Sequence, residues 1–284
     1  MAIFSNQATL TYNDSSTNSN IAYGEILDVL AATKTAVEGT YAPGQIVTYV
    51  VTLRNTGNAA LTGLTVTDDL GGYTFNGTTV YPLTYEANSV AMFTDGVPQV
   101  APAVVAGPPL VFSGITVPAG GDVVLVYQAQ ANAYADPADG GTVVNTVTVT
   151  GDGLSAPITA TETVTADTAP ALTISKSISP TQVTDNDRVT YTFVIQNTGN
   201  QPVIATDNAA ITDTFDPILT ALTVTFDGTA WTQGTQYNYN EATGLFTTVP
   251  GQILVPAATY TQDPVTGAYT ANPGIATLVV TGTI

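Results

Sequence analysis

Along most of the chain apolar and polar residues alternate one for one. Val47, Tyr49, Val51 and Leu53 share one side of a strand, and Val143, Val147 and Val149 share another, with Thr146, Thr148 and Thr150 facing away. A period of two marks a half-buried strand, and Thr, Val and Tyr suit the pleated backbone. Turn signals recur at short intervals: Asn-Thr-Gly-Asn at 55–58 and 197–200, Asn76-Gly77, and Pro118 through Gly121. No segment holds a helical period. Short strands joined by Gly- and Pro-bearing turns predict an all-β chain of immunoglobulin-like sandwiches.

The pattern repeats. Residues 30–58 align without a gap on residues 172–200, so Lys34 falls on Lys176 and Tyr49 on Tyr191. After a three-residue insertion Val66-Thr67-Asp68 matches Ile211-Thr212-Asp213. The expected organisation is an N-terminal hairpin at 1–28, a complete sandwich at 29–168, and a second sandwich at 169–284 without its last hairpin. In the first copy that hairpin is 142–150 with 157–165. Its sequence likeness stands at the front of the chain: residues 4–11 resemble 143–150, and residues 21–25 resemble 158–162.

A sandwich short of its final hairpin exposes a sheet edge and an open core groove. A free two-stranded hairpin is marginal in water. The expectation is donor-strand complementation, with Phe4, Ala8, Leu10, Tyr12, Ile21 and Tyr23 of one molecule entering the groove of the next. Such a head-to-tail contact does not close on itself and gives a filament. Intramolecular closure competes, but residues 1–28 would have to travel past the whole first sandwich.

Composition narrows the chemistry. The chain has 284 residues, 44% hydrophobic and only 9% charged, with 22 acidic residues against four basic ones and a net charge of -18. Such a surface repels nucleic acid and anionic membranes, so neither is an expected partner. With no His and no Cys, thiol nucleophiles, Ser-His-Asp triads, disulfides and His/Cys zinc sites are excluded. The start, MAIFSNQATLTYN, has no basic segment and no unbroken apolar run. It reads as a mature end after leader removal, or as a protein that leaves its cell by a non-standard route.

Both lysines sit at inward parity: Lys34 with Leu30 and Ala32, and Lys176 with Leu172, Ile174 and Ile178. Asp68, Asp213, Asn145, Asn6, Glu162 and Glu25 also fall on apolar faces. If the later hairpin folds about Gly153-Leu154, Asn145 lies opposite Glu162. If the first folds about Ser15-Ser16, Asn6 lies opposite Glu25. Burial lowers a Lys pKa and raises a carboxyl pKa, which favours a neutral amine beside a neutral acid. Such an amine is a nucleophile toward an amide that the acid polarises. The expected crosslinks are Lys34–Asn145 within a domain and Lys176–Asn6 between subunits. The candidate acids are Asp68, Asp213, Glu162 and Glu25. Two alternatives stay open: an unreactive buried Lys–carboxylate pair, and a direct bond from Lys to Asp68 or Asp213.

The stretch VTYVVTLRNTGNAALTGLTVTDDL (47–70), then VVNTVTVT (143–150), and VTYTFVIQNTGNQPVIATDNAAITDTF (189–215) resemble the conserved repeat of prokaryotic surface proteins, domain of unknown function eleven. The resemblance covers most of both copies and is poor over 71–110 and 216–275. It implies tandem Ig-like domains on a spore or cell surface. A two-copy form is similar to major subunits of clostridial endospore appendages, which implies an extracellular homopolymer with anchor or tip proteins besides itself.

Other readings are weaker. The alternative to a polymer is a surface adhesin or a wall or S-layer-like module that does not self-assemble, using domain-tip loops or Trp231 and the Tyr-rich 237–245 region. A carboxylate-pair enzyme has no marked cleft. Acidic loops such as 136–139 and 185–187 offer oxygen ligands, yet no EF-type loop is present. No cofactor and no metal is expected.

Overall fold

The computed structural model describes residues 2–26 and 28–284, with backbone alone for residues 2, 3, 25 and 26. The described chain is all-β apart from one short 3-10 turn at Ala205–Asp207. Contacts divide it into two compact units, Met1–Asp136 with Thr142–Thr165, and Pro137–Gly141 with Ala166–Ile284. Among the described residues no helix is long and apolar enough to cross a membrane.

The chain opens with paired strands. β1 (Ala2–Asn6) would leave its edges bare alone; it pairs antiparallel with the strand that becomes β4 (Ala22–Ile26), and between them β2 (Thr9–Tyr12) pairs with β3 (Ser15–Asn18). Tyr12 faces Ser15 across Asn13 and Asp14, whose φ values are 43° and 63°. That is the left-handed pair a two-residue hairpin turn requires, and Asn and Asp tolerate it. The turn therefore lies at 13–14, not about Ser15-Ser16. Asn6 faces Ala22 and the Glu25 backbone faces Ile3, so the expected Asn6–Glu25 pairing is corrected. Phe4, Leu10, Tyr12, Ile21 and Tyr23 are all exposed. Register is weakly specified where no face is buried, and local turn chemistry then decides it.

The first sandwich holds β5 (Leu30–Ala36), β6 (Thr40–Tyr41), β7 (Ile46–Asn55), β8 (Leu61–Asp68), β9 (Tyr73–Phe75), β10 (Thr78–Val80), β11 (Leu83–Tyr85), β12 (Ala91–Thr94), β13 (Val97–Gln99), β14 (Ala103–Val105), β15 (Leu110–Val117), β16 (Asp122–Ala131), β17 (Thr142–Thr150) and β18 (Ile158–Ala166). One sheet runs β13-β12-β16-β7-β5 and the other β14-β15-β8-β17-β18-β6. Inward residues of β7 and β16 alternate strictly with outward ones: Val47, Tyr49, Val51, Leu53, Val123, Leu125 and Tyr127 are wholly buried. They pack toward Leu64, Val66, Phe112, Val147 and Val149 of the facing sheet, the layered core a sandwich needs. The β15–β8 register slips at Gly114, whose φ of 81° suits the extra residue of a bulge.

The second sandwich holds β19 (Leu172–Ser179), β20 (Arg188–Asn197), β21 (Thr212–Thr214), β22 (Thr220–Phe226), β23 (Thr229–Trp231), β24 (Tyr237–Asn240), β25 (Leu245–Thr248), β26 (Thr259–Gln262), β27 (Tyr269–Asn272) and β28 (Gly274–Thr283). Its sheets run β19-β20-β28-β22-β23 and β21-β25-β24. The core gathers Phe193, Ile195, Phe215, Phe246, Leu278 and Val280. The two sandwiches match strand for strand at β5/β19, β7/β20 and β16/β28, and one of their differences lies beside β8. β8 is paired on both sides, by β15 and β17. Its counterpart β21 pairs only with β25 among the described residues.

Candidate functional site

Three inward polar residues meet in the first sandwich. Lys34 lies on β5, the edge of its sheet, and reaches across the core to Asp68 at the end of β8. Its Nζ is 2.7 Å from Asp68 Oδ2, and both side chains are fully buried. Asn145 lies on β17, whose Val147 is paired with Asp68, so the two side chains are diagonal neighbours on one face. Asn145 Nδ2 stands 3.4 Å from the same Asp68 oxygen. The Tyr127 hydroxyl also donates to that oxygen. The other oxygen, Oδ1, accepts the Leu70 amide at 2.7 Å. Lys34 Nζ further lies 4.7 Å from the centre of the Tyr49 ring.

The electrostatics follow from this burial. Desolvation pushes the Lys34 ammonium below its ordinary value, with Asp68 pulling it back and the charges of Asp69 and Glu162 acting the same way more weakly. Burial pushes both Tyr49 and Tyr127 up, and Asp68's charge adds to each; the Asn145 side chain offsets part of the effect at Tyr49. Asn145 Oδ1 is buried without a hydrogen-bond partner. An unmet carbonyl of that kind costs about 1–3 kcal/mol and marks a place where a donor is wanted. Glu162 sits directly across from Asn145 on β18, in the register that the fold about Gly153-Leu154 predicts. It is half-buried and reaches Lys34 through space.

The second sandwich repeats half of this site. Lys176 on β19 hydrogen-bonds Asp213 on β21, and its Nζ is 4.5 Å from the centre of the Tyr191 ring, as Lys34 is to Tyr49. Asp213 Oδ1 accepts the Thr214 amide at 2.9 Å. Exposure differs sharply: the Lys176 and Asp213 side chains are 38% and 19% accessible. Every residue of β19 is exposed, whereas Leu30 and Lys34 of β5 are buried. Leu172, Ile174, Ala209, Ala210, Ile211 and Ile253 line an apolar groove of about 160 Å³ along this opening. No strand stands where β17 supplies Asn145 to Asp68 among the described residues. Val280 replaces Tyr127, since each pairs with the matching tyrosine, Tyr191 or Tyr49.

The remaining sequence-predicted residues lie in the exposed hairpin. Asn6, Phe4, Ala8, Leu10, Tyr12, Ile21 and Tyr23 are solvent-facing, and the Glu25 side chain lies outside the described residues. Two kinds of residue escape the sequence reading. Tyr127 shares inward parity with Leu125 and Ala129, which is the signal that would have found it. Asn55 and Asn197 read as turn residues, but both are fully buried pins. Asn55 Nδ2 donates to the carbonyls of Ala59, Val117 and Pro118, while its Oδ1 accepts the Gly57 amide. Asn197 Nδ2 donates to the carbonyls of Gln201 and Pro256, and its Oδ1 accepts the Ala171 and Gly199 amides.

No family model matches the chain, and no curated protein matches it. Solved structures overlay it loosely. The N-terminal domain of a Streptococcus gordonii adhesin shares 18% identity at a TM-score of 0.36, over 54% of this chain and 36% of that one. The pilus backbone of Streptococcus pneumoniae shares 13% at 0.34, over 86% and 55%. A collagen-binding domain from a Staphylococcus aureus adhesin shares 10% at 0.31, over 47% and 96%. The chain thus spans about a third of the adhesin's N-terminal domain and about half of the pilus backbone. Overlaps this loose carry no function across.

Proposed function

We propose that the chain is the structural subunit of a self-assembling extracellular filament, a spore appendage or pilus-like fibre. Residues 2–26 of one copy complete the second sandwich of the next. One observation carries the reading. The second sandwich has an apolar edge, Leu172, Ile174 and Ile178, open where the first sandwich is sealed by β17 and β18. The exposed hairpin carries the matching sequence, with Ala8 and Leu10 at the positions of Val147 and Val149.

The energetics favour joining them. Burying a large apolar side chain contributes about 1.5–3 kcal/mol, and Phe4, Leu10 and Ile21 are all available. The bare edge of β21 gains a hydrogen-bonded partner, and an unpaired edge is a standing template for one. Because donor and acceptor are different surfaces, each addition leaves a new acceptor free, and growth is linear. A charge of -18 on every subunit works against lateral bundling.

Electron microscopy and sedimentation of the purified chain test this reading against a deletion of residues 1–12. The full chain is expected to form fibres unaided and the deletion to stay monomeric. Fibres grown by the deletion contradict the donor mechanism. A full chain that stays monodisperse favours a non-polymerising adhesin.

A further inference from the structure

The first sandwich encloses an amine, an acid and a carboxamide with no water-facing route between them, since Lys34, Asp68 and Asn145 are all buried. Their meeting point is one atom, Asp68 Oδ2, which takes hydrogen bonds from both the amine and the amide. A salt bridge alone has no use for a buried Asn whose carbonyl is left without a partner. We infer that this cluster is a reaction centre that joins Lys34 Nζ to Asn145 Cγ in an isopeptide bond. The second sandwich holds the same centre split between molecules, Lys176 and Asp213 on one copy and Asn6 on the next.

The step balances without an oxidant or co-reactant. Lys34 passes one proton along its hydrogen bond to Asp68, leaving a neutral amine and a neutral acid; desolvation of the ammonium favours that transfer. Rotation of the Asn145 amide about its Cβ–Cγ bond turns Oδ1 toward the acid, which polarises the carbonyl as Nζ attacks Cγ. A second proton leaves Nζ through the carboxylate to Nδ2, the Cγ–Nδ2 bond breaks, and ammonia departs. One C–N bond forms, one breaks, and the departing ammonia takes up the proton held by Asp68, leaving as ammonium and returning Asp68 to its carboxylate. Asp68 is the acid because it touches both partners, whereas Glu162 acts on Lys34 through space. Tyr127 is a positioning residue, holding the carboxylate between them.

The intersubunit half rests on the head-to-tail reading. Asn6 aligns with Asn145, as Ala8 aligns with Val147, the residue paired to Asp68. A donor strand in that register places the Asn6 amide beside Asp213 and Lys176. Before docking, the Lys176–Asp213 pair is solvated and has no amide to attack. Covalent fixing is thus gated by assembly: the first bond forms on folding, the second only on docking.

Denaturing intact-mass measurement of soluble full-length chain reads the first bond. The expected mass is short by one ammonia, and tandem fragmentation joins the peptide of Lys34 to that of Asn145. Asp68→Asn is expected at full mass. Full mass in the wild type overturns the proposal. A deficit of one water, with Lys34 joined to Asp68, overturns the assignment of Asn145. Fibres boiled in detergent read the second bond and are expected to run as a ladder of multimers. Lys176→Met is expected to form fibres by microscopy that fall to monomer on boiling, still one ammonia light. Wild-type fibres that boil to monomer overturn the intersubunit bond while leaving the filament reading intact. Absence of fibres overturns both.

Discussion

Lys34 and Lys176 stand at the same point of two homologous sandwiches, each over a tyrosine ring and each bonded to an aspartate, yet one is sealed and the other is 38% accessible. The difference traces to a single hairpin. β17 and β18 roof the first lysine, and the second has no roof among the described residues. The accessible lysine therefore marks the place where the fold is open, and in the proposed filament the exposed hairpin at 2–26 closes it.

The two aspartates should differ in what they contribute to the isolated chain. Asp68→Ala strands a buried cation, and losing one partner of a buried pair costs about 3–5 kcal/mol. Asp213→Ala breaks a pair already screened by water, and exposed pairs are worth about 0–1 kcal/mol. Calorimetry of the soluble protein should show a large downward shift for the first and a small one for the second.

Faces of the donor strand should matter more than its composition. Leu10 aligns with the buried Val149 and Thr11 with the exposed Thr150. Leu10→Asp places a charge in the groove and is expected to abolish fibre growth. Thr11→Asp leaves growth within a few-fold of wild type. Light scattering during assembly measures both.

Alkaline stability should be governed by two tyrosines. Tyr49 and Tyr127 keep their protons above the ordinary value of 10.0 while the unfolded chain has lost them, so stability falls as pH rises past 10. Lys34 works the other way: its native pKa is lowered, so its contribution rises with pH toward its ordinary 10.5. Joined to Asn145, it no longer titrates and only the tyrosine fall remains. Tyrosinate absorbance should show a last fraction ionising only as the strand signal collapses, and Tyr127→Phe should reduce that fraction.

The buried asparagines of the repeated Asn-Thr-Gly-Asn turns should prove structural. Asn55→Ala leaves three carbonyls and an amide without their partner. The expected loss is on the order of 3 kcal/mol, and Asn197→Ala should match it in the second sandwich. Urea unfolding of each variant measures the loss.

Much of this was legible in the sequence. Strict alternation placed Lys34, Asp68 and Asn145 on inward faces, and burial on that face fixed the Asn145–Glu162 register, which the structure repeats. The first hairpin was misread because nothing buries it, so the Asn13-Asp14 turn sets a register that parity cannot reveal. Alternation also could not rank the acids. Asp68 and Glu162 share inward parity, and only the third dimension shows that one touches both Lys34 and Asn145. Tyr127 was hidden for a related reason: on a face of apolar neighbours, an inward tyrosine reads as core.

A reconstruction of the assembled fibre tests the central claim most directly. The account predicts residues 2–12 of one subunit lying as a strand along Thr212–Thr214 of the next, with Asn6 turned toward Lys176. A fibre in which that edge stays open, or in which residues 2–26 lie against their own chain, contradicts it.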